Sequence, residues 1–181
     1  MLWKNQEPDI KILKDYEIIT DIGFKAGVHS LQSNDKVTLV ITKNCWKQMM
    51  NHIEPHKVEM GGLVVGKVYK RKTSDEFICL FLKAIPAVDK DSSPVSLSMG
   101  TEVWNHANKN SLENEVVVGW FHSHPNLGAY FSGTDRMNQQ ANFSSQFHIG
   151  IVIDHIRDEY AVFYGKDSIQ IDNNNVIVIE E

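Results

Sequence analysis

A chain of 181 residues with 42% hydrophobic and 23% charged residues has the size and composition of one soluble globular domain with a sizeable core. Its 18 Lys and Arg against 23 Asp and Glu leave a formal net charge of -5, which argues against a nucleic-acid backbone as the main partner. No apolar run is long enough to span a membrane, and residues 1–7 carry no apolar signal region, so the expected location is the cytoplasm.

The first 36 residues are of mixed polarity and end in the turn-like cluster Gln32-Ser33-Asn34-Asp35. They are expected to form an N-terminal extension with short strands, packed on a domain that occupies 37–181. The regular pattern starts with a β-rich run over 37–41. Thr42 then offers an N-cap. Trp46, Met49, Met50 and Ile53 fall on one helical face, and Pro55 bounds that helix. A strand opens on Gly61-Gly62 and runs to 69, with a partner strand over 76–85. A breaker-rich loop covers 87–94. The next helix spans about 101–109, with Val103, Trp104 and Ala107 on its apolar side. Residues 116–121 are continuously apolar, which suits a central strand buried on both faces. A third helix begins after Ser132. Strands over 149–154 and 160–164 flank a turn at Arg157-Asp158, and short strands follow over 169–171 and 176–179. This alternation gives an α/β or α+β class with a mixed sheet.

The two cysteines, Cys45 and Cys79, fall in a helical pattern and a strand-like run. Both are expected to be buried and reduced, which fits a reducing compartment. Lys67, Lys70, Arg71 and Lys72 form one short basic group, read as a solvated strand end.

The chemistry concentrates at Gly119-Trp120-Phe121-His122-Ser123-His124-Pro125 and the downstream Ser132 and Asp135. His122 and His124 are two apart at a strand end, so both imidazoles can face one ion. Asp135 falls in the first turn of the next helix and can return to the same spot. Three protein ligands with a fourth position for water is the arrangement of a catalytic zinc; a structural zinc usually recruits four ligands, often cysteines. The alternatives are plain. Ser132-Gly133-Thr134-Asp135 also matches a helix capping box, and a lone His-x-His is a weak signal. Ser132 either caps the helix or projects into the site. A zinc hydrolase also needs a general base for its water. Glu59, just before Gly61-Gly62, is the candidate, although position alone favours a solvated carboxylate among 23 acidic residues. His29, His52, His56, His106, His148 and His155 have no ligand-like spacing and read as surface or core histidines.

These residues resemble the JAMM, or MPN-plus, metalloproteases. The resemblance covers roughly 37–165 and rests on Glu59-Met60-Gly61-Gly62, His122-Ser123-His124-Pro125 and Ser132-Gly133-Thr134-Asp135, in that order. It implies an MPN-type mixed sheet flanked by helices, layered like the cytidine deaminases. It implies that His122, His124 and Asp135 hold zinc, that Glu59 is the general base and then the proton donor, and that Ser132 hydrogen-bonds the oxyanion. Within the family the motifs are most similar to the deubiquitinase branch. That implies cleavage after the C-terminal tail of ubiquitin or a ubiquitin-like protein. The loop over 87–97 falls where that branch has an insertion that helps hold the tail. Leu127, Tyr130 and Phe131 either line the tail groove or pack under the loop. The size implies a compact, stand-alone member, from a bacterial ubiquitin-like conjugation system. Two other functions fit the same residues less closely: a peptidase acting on a sulfur-carrier or small amino-acid adduct, and a non-catalytic scaffold.

Overall fold

The computed structural model describes residues 10–32, 36–87 and 100–180. Nine strands form one mixed sheet. Its spine is β3 (Gly61–Arg71), which pairs antiparallel with β4 (Phe77–Pro86) on one side. On its other side β3 pairs first with β5 (Val116–Ser123), antiparallel, and further along with the short β1 (Lys11–Leu13), parallel. Beyond β4 lie β2 (Val37–Thr42) and β9 (Val176–Ile179), both joined by parallel pairing. Beyond β5 lie β6 (Ile149–Asp154), β7 (Glu159–Tyr164) and β8 (Ile169–Gln170). The β5–β6 pair is parallel and is connected through a helix, the βαβ unit that parallel neighbours require. The expected mixed α/β class is what forms.

The helices cover both faces. Helix α3 (Lys43–Ile53) starts on Thr42, whose Oγ1 accepts the Cys45 N–H at 3.2 Å. It buries Cys45, Met49 and Ile53 against Leu39, Ile41, Val64, Cys79 and Phe121. The alternate residues of the same strands point to the opposite face. There α4 (Thr101–Asn110) and α5 (Gly133–Asn142) pack over Leu63, Val65, Trp120 and Val152. Period-two alternation in the strands and the i, i+4 spacing of α3 therefore build one three-layered core. Cys45 and Cys79 are both buried and form no disulfide.

The extension differs from expectation. Its described part holds one three-residue strand and two helices, α1 (Asp15–Ile22) and α2 (Phe24–Gln32), separated by Gly23. Ile18 and Ile22 are one helical turn apart and bury together with Ala26 over Val40, Tyr69, Ile78 and Leu80. Arg71 fastens the unit. Its guanidinium is buried, pairs with Glu76, lies 3.3 Å from Asp15 and donates to Ser30 O at 2.8 Å. Of the loop expected over 87–97 to grip a tail, all but Ala87 lies outside the described residues.

Two stability outcomes follow from this packing. Arg71→Ala strands two carboxylates and should cost about 3 kcal/mol, read as a lowered urea midpoint. His148 sits against Phe143 and Phe147, and burial pushes its pKa from the ordinary 6.5 down to about 4. The unfolded chain then binds more protons than the folded one between those values. Stability contributed by neutral His148 is therefore complete above about pH 6.5 and lost as the pH falls toward 4, by up to about 3 kcal/mol. The difference between wild type and His148→Gln in urea titrations at pH 5 and pH 7.5 measures it; equal differences at both pH values would contradict the assignment.

Candidate metal centre

Strand register brings the site together. In the β3–β5 ladder Gly61 faces His122. One step further, the Ser123 N–H donates to Met60 O at 2.7 Å and the Met60 N–H donates to Ser123 Oγ at 3.0 Å. The next step sets Glu59 across from His124. The third ligand comes from α5. Ser132 is its N-cap: its Oγ accepts the Asp135 N–H at 3.2 Å, while Asp135 Oδ2 accepts the Ser132 N–H at 2.7 Å. This reciprocal capping box aims the Asp135 carboxylate at the end of β5. The cap and a ligand role are not rivals for Asp135, because its carboxylate accepts the Ser132 N–H while both its oxygens lie beside the imidazoles.

His122 Nε2 and His124 Nε2 are 3.2 Å apart. Asp135 Oδ1 lies 3.2 Å from the first, and Oδ2 lies 3.5 Å from the second. Three ligand atoms placed tetrahedrally around one zinc at about 2.0–2.1 Å would be about 3.3 Å from each other. The donor set therefore fits zinc in chemistry and spacing. Glu59 Oε1 is 3.6 Å from His124 Nε2, on the edge of the same group, with its side chain 15% exposed. The structure brings Glu59, His122, His124 and Asp135 together, and it places Ser132 at the cap of α5, bonded to Asp135.

The electrostatics follow from burial and contact. Burial holds the His122 pKa below its ordinary value, against the opposing pull of Asp135. Burial also disfavours charge on His124, but its hydrogen bond and charge attraction with Asp135, with help from Glu59, outweigh that and raise it. Asp135 stays ionised: burial pushes its pKa up, and hydrogen bonds from His122 and His124 with the charge on His122 more than reverse the push. Glu59 is raised, chiefly by burial, with His124 opposing and Asp135 adding to it. The centre thus holds an ionised ligand carboxylate beside one whose proton affinity is increased.

Sequence reasoning passed over the groups behind the ligands. The Trp120 indole stacks on the His122 imidazole with centroids 4.6 Å apart and planes 9° from parallel. Its Nε1–H donates to Gln139 Oε1 at 2.6 Å. Gln139 Nε2 in turn donates to the carbonyls of Phe143, His148 and Gly165. Gly150 leaves room for this junction, since a Cβ there would lie 2.5 Å from Phe131 Cζ and 2.8 Å from Trp120 Nε1. The available signal was periodicity: Trp120 is two before His122 on a strand, and Gln139 is four after Asp135 on a helix.

Leu127 and Tyr130 are exposed, and the Tyr130 ring meets His124 edge-on with centroids 5.3 Å apart. Phe131 corrects the expectation that it lines a groove. It is 4% exposed and stacks on Phe163 at 4.1 Å, beneath His122 and Trp120, because that pocket is the apolar floor of the site. Among the described residues, none of the other six histidines joins the metal group. His52 packs against Phe121, and His56 lies beside it.

The sequence pattern of the prokaryotic homologs of the JAB domain matches residues 42–164. The chain belongs to this family. JAB and MPN are names for one fold family, which includes the JAMM metallopeptidases. The JAB domain here is 29% identical over 106 residues to a COP9 signalosome complex subunit 5 of Debaryomyces hansenii, covering 56% of this chain and 22% of the relative. It is 37% identical over 70 residues to a 26S proteasome non-ATPase regulatory subunit 14 of Drosophila melanogaster, covering 36% of this chain and 21% of the relative. The matched stretch thus spans under a quarter of either relative's length. A protein of Desulfitobacterium hafniense, solved in solution, shares the fold with a TM-score of 0.60 at 24% identity, over 79% of this chain and 94% of that one. The described residues of the JAB domain contain no helix long and apolar enough to cross a membrane.

The capping geometry makes its own prediction. Ser132→Ala removes the acceptor of the Asp135 N–H and should lower stability by about 1 kcal/mol, in a chelator as well as in zinc. Urea unfolding under both conditions measures this. A stability loss confined to the zinc-loaded protein would show that the hydroxyl does not cap α5.

Proposed function

We propose that this JAB-domain protein is a zinc-dependent isopeptidase or peptidase that cleaves the amide bond after the C-terminal tail of ubiquitin or a ubiquitin-like protein. The observation that carries the reading is Glu59 Oε1 standing 3.6 Å from His124 Nε2, at the rim of the zinc-compatible trio His122, His124 and Asp135. Zinc held by those three side chains would polarise the scissile carbonyl and acidify the attacking water. Glu59 would serve as the base that accepts a proton from the attacking water and as the acid that delivers it to the leaving amine. Its partial burial, which raises its proton affinity, suits a group that must both accept and release a proton near neutral pH. Ser132 spends a lone pair on the helix cap, which leaves its hydroxyl proton for the oxyanion of the tetrahedral intermediate. Leu127 and Tyr130 stand exposed beside His124 and would flank an extended tail as it enters.

Family membership supports the metallopeptidase class, and the ligand geometry supports zinc as the ion. The tail specificity rests on the motif resemblance alone. The buried cysteines are consistent with a reducing, cytoplasmic setting, and the net charge of -5 with a partner other than nucleic acid.

The test combines metal analysis with cleavage. Purified protein should contain about one zinc per chain and should cut ubiquitin-like carriers that bear C-terminal extensions, directly after the tail, with activity abolished by a chelator. Mass spectrometry of the products gives the cut site. Glu59→Gln should retain zinc and lose cleavage by about a hundred- to ten-thousand-fold. Full activity in that variant would remove Glu59 from the mechanism, and equal activity on short adducts lacking the folded carrier would replace the substrate.

A further inference from the structure

We propose that Asp154 is a positioning residue of the metal centre: its carboxylate clamps the loop after His124 and so fixes where that imidazole points. The placement follows from strand register. In the parallel β5–β6 ladder, His122 pairs with Val152 and Ser123 with Ile153. The His124 N–H then donates to Ile153 O at 3.0 Å, which brings the last residue of β6, Asp154, alongside His124. His124 is therefore flanked by Glu59 on the β3 side and by Asp154 on the β6 side.

Asp154 is 0% exposed, and its charge is met by backbone donors. Oδ1 accepts the N–H groups of Asn126 at 2.9 Å, Ile156 at 3.1 Å and Arg157 at 3.2 Å. Oδ2 accepts the Gly128 N–H at 2.7 Å and lies 3.6 Å from Arg157 Nε. A buried carboxylate is tolerated only when its lone pairs are satisfied in this way. The bonds to Ile156 and Arg157 belong to the local turn between β6 and β7. The bonds to Asn126 and Gly128 reach a different segment, the two residues either side of Leu127 just past the metal ligand.

That segment needs holding. Asn126 and Gly128 have φ of 61° and 93°, in the left-handed region that side chains resist. Their N–H groups both turn inward onto one carboxylate. Arg157 Nε also donates to Asn126 Oδ1 at 3.3 Å, which closes the clamp from outside. The Leu127 N–H returns to His124 O at 3.2 Å, so the clamped turn closes back on the backbone of His124. Neither Asp154 nor Arg157 reaches the ligand atoms, so the effect is on orientation.

The inference rests on the reading of His124 as a zinc ligand, and the experiment separates the two. Asp154→Asn keeps the shape but turns an NH2 toward at least one backbone donor. In that variant the Asn126 and Gly128 amides should exchange with solvent faster, measured by hydrogen exchange. Zinc affinity, measured by chelator competition, should fall by about 10- to 100-fold. Cys79→Ala, which loosens the core at the other end of β3, should leave zinc affinity within about twofold despite a comparable loss of thermal stability. Unchanged amide protection in Asp154→Asn, or a loss of zinc affinity no larger than that of Cys79→Ala, overturns the proposal. If Asp154→Asn does not fold, Gly128→Ala, strained at its positive φ, decides on the same two measurements. If the wild-type protein binds no zinc, the metal reading falls, and amide protection alone upholds or overturns the clamp.

Discussion

The Asp135 carboxylate accepts the Ser132 N–H with one oxygen while both its oxygens face the imidazoles of His122 and His124. Helix α5 cannot begin elsewhere without losing its cap, and the cap cannot form without setting that carboxylate at the end of β5. The start of a helix and the corner of a metal centre are thereby one constraint. Everything else at the site is arranged around it: β3 delivers Glu59 by register, β6 delivers Asp154 by register, and α5 itself returns Gln139 to the indole under His122.

Such a centre is costly as a piece of core. Two imidazoles with nitrogens 3.2 Å apart repel when both are charged, and burial disfavours charge on either. The fold offsets this locally. Asp135 is ionised between them, Trp120 covers one ring face, and Phe131 and Phe163 make a dry floor. A divalent cation converts the same arrangement from crowding into coordination.

The three layers give the two histidines different surroundings. His122 points into the apolar layer beneath α4 and α5 and is almost fully enclosed. His124, one pleat further on, is also buried and meets the edge of Tyr130 and the Glu59 carboxylate. Ligands at the carboxyl end of a strand in a parallel pair, beside the N-terminus of the crossover helix, occupy the position where open α/β sheets generally bind. The family membership, covering 42–164, spans this unit from the N-cap of α3 to the end of β7. The helices α1 and α2 lie before that stretch, and Arg71 ties them to it.

Sequence by itself determined what depends on neighbours in the chain. The alternation of β2 and β3, the i, i+4 face of α3 with its Thr42 cap, the buried run of β5 and the His-x-His spacing all act over a few residues, and their consequences are local. The motif resemblance added the expected oxyanion role of Ser132 and the expectation of a ubiquitin-like tail. Tertiary structure alone decided the rest. Whether Phe131 faced a groove or the floor, and what Ile18 and Ile22 packed against, each depended on partners far along the chain. Asp154 is the clearest case: its role comes from donors 26 and 28 residues away, brought to it by a parallel strand pairing that no local periodicity specifies. Propensity and spacing are properties of a segment, whereas register and enclosure arise only when segments meet.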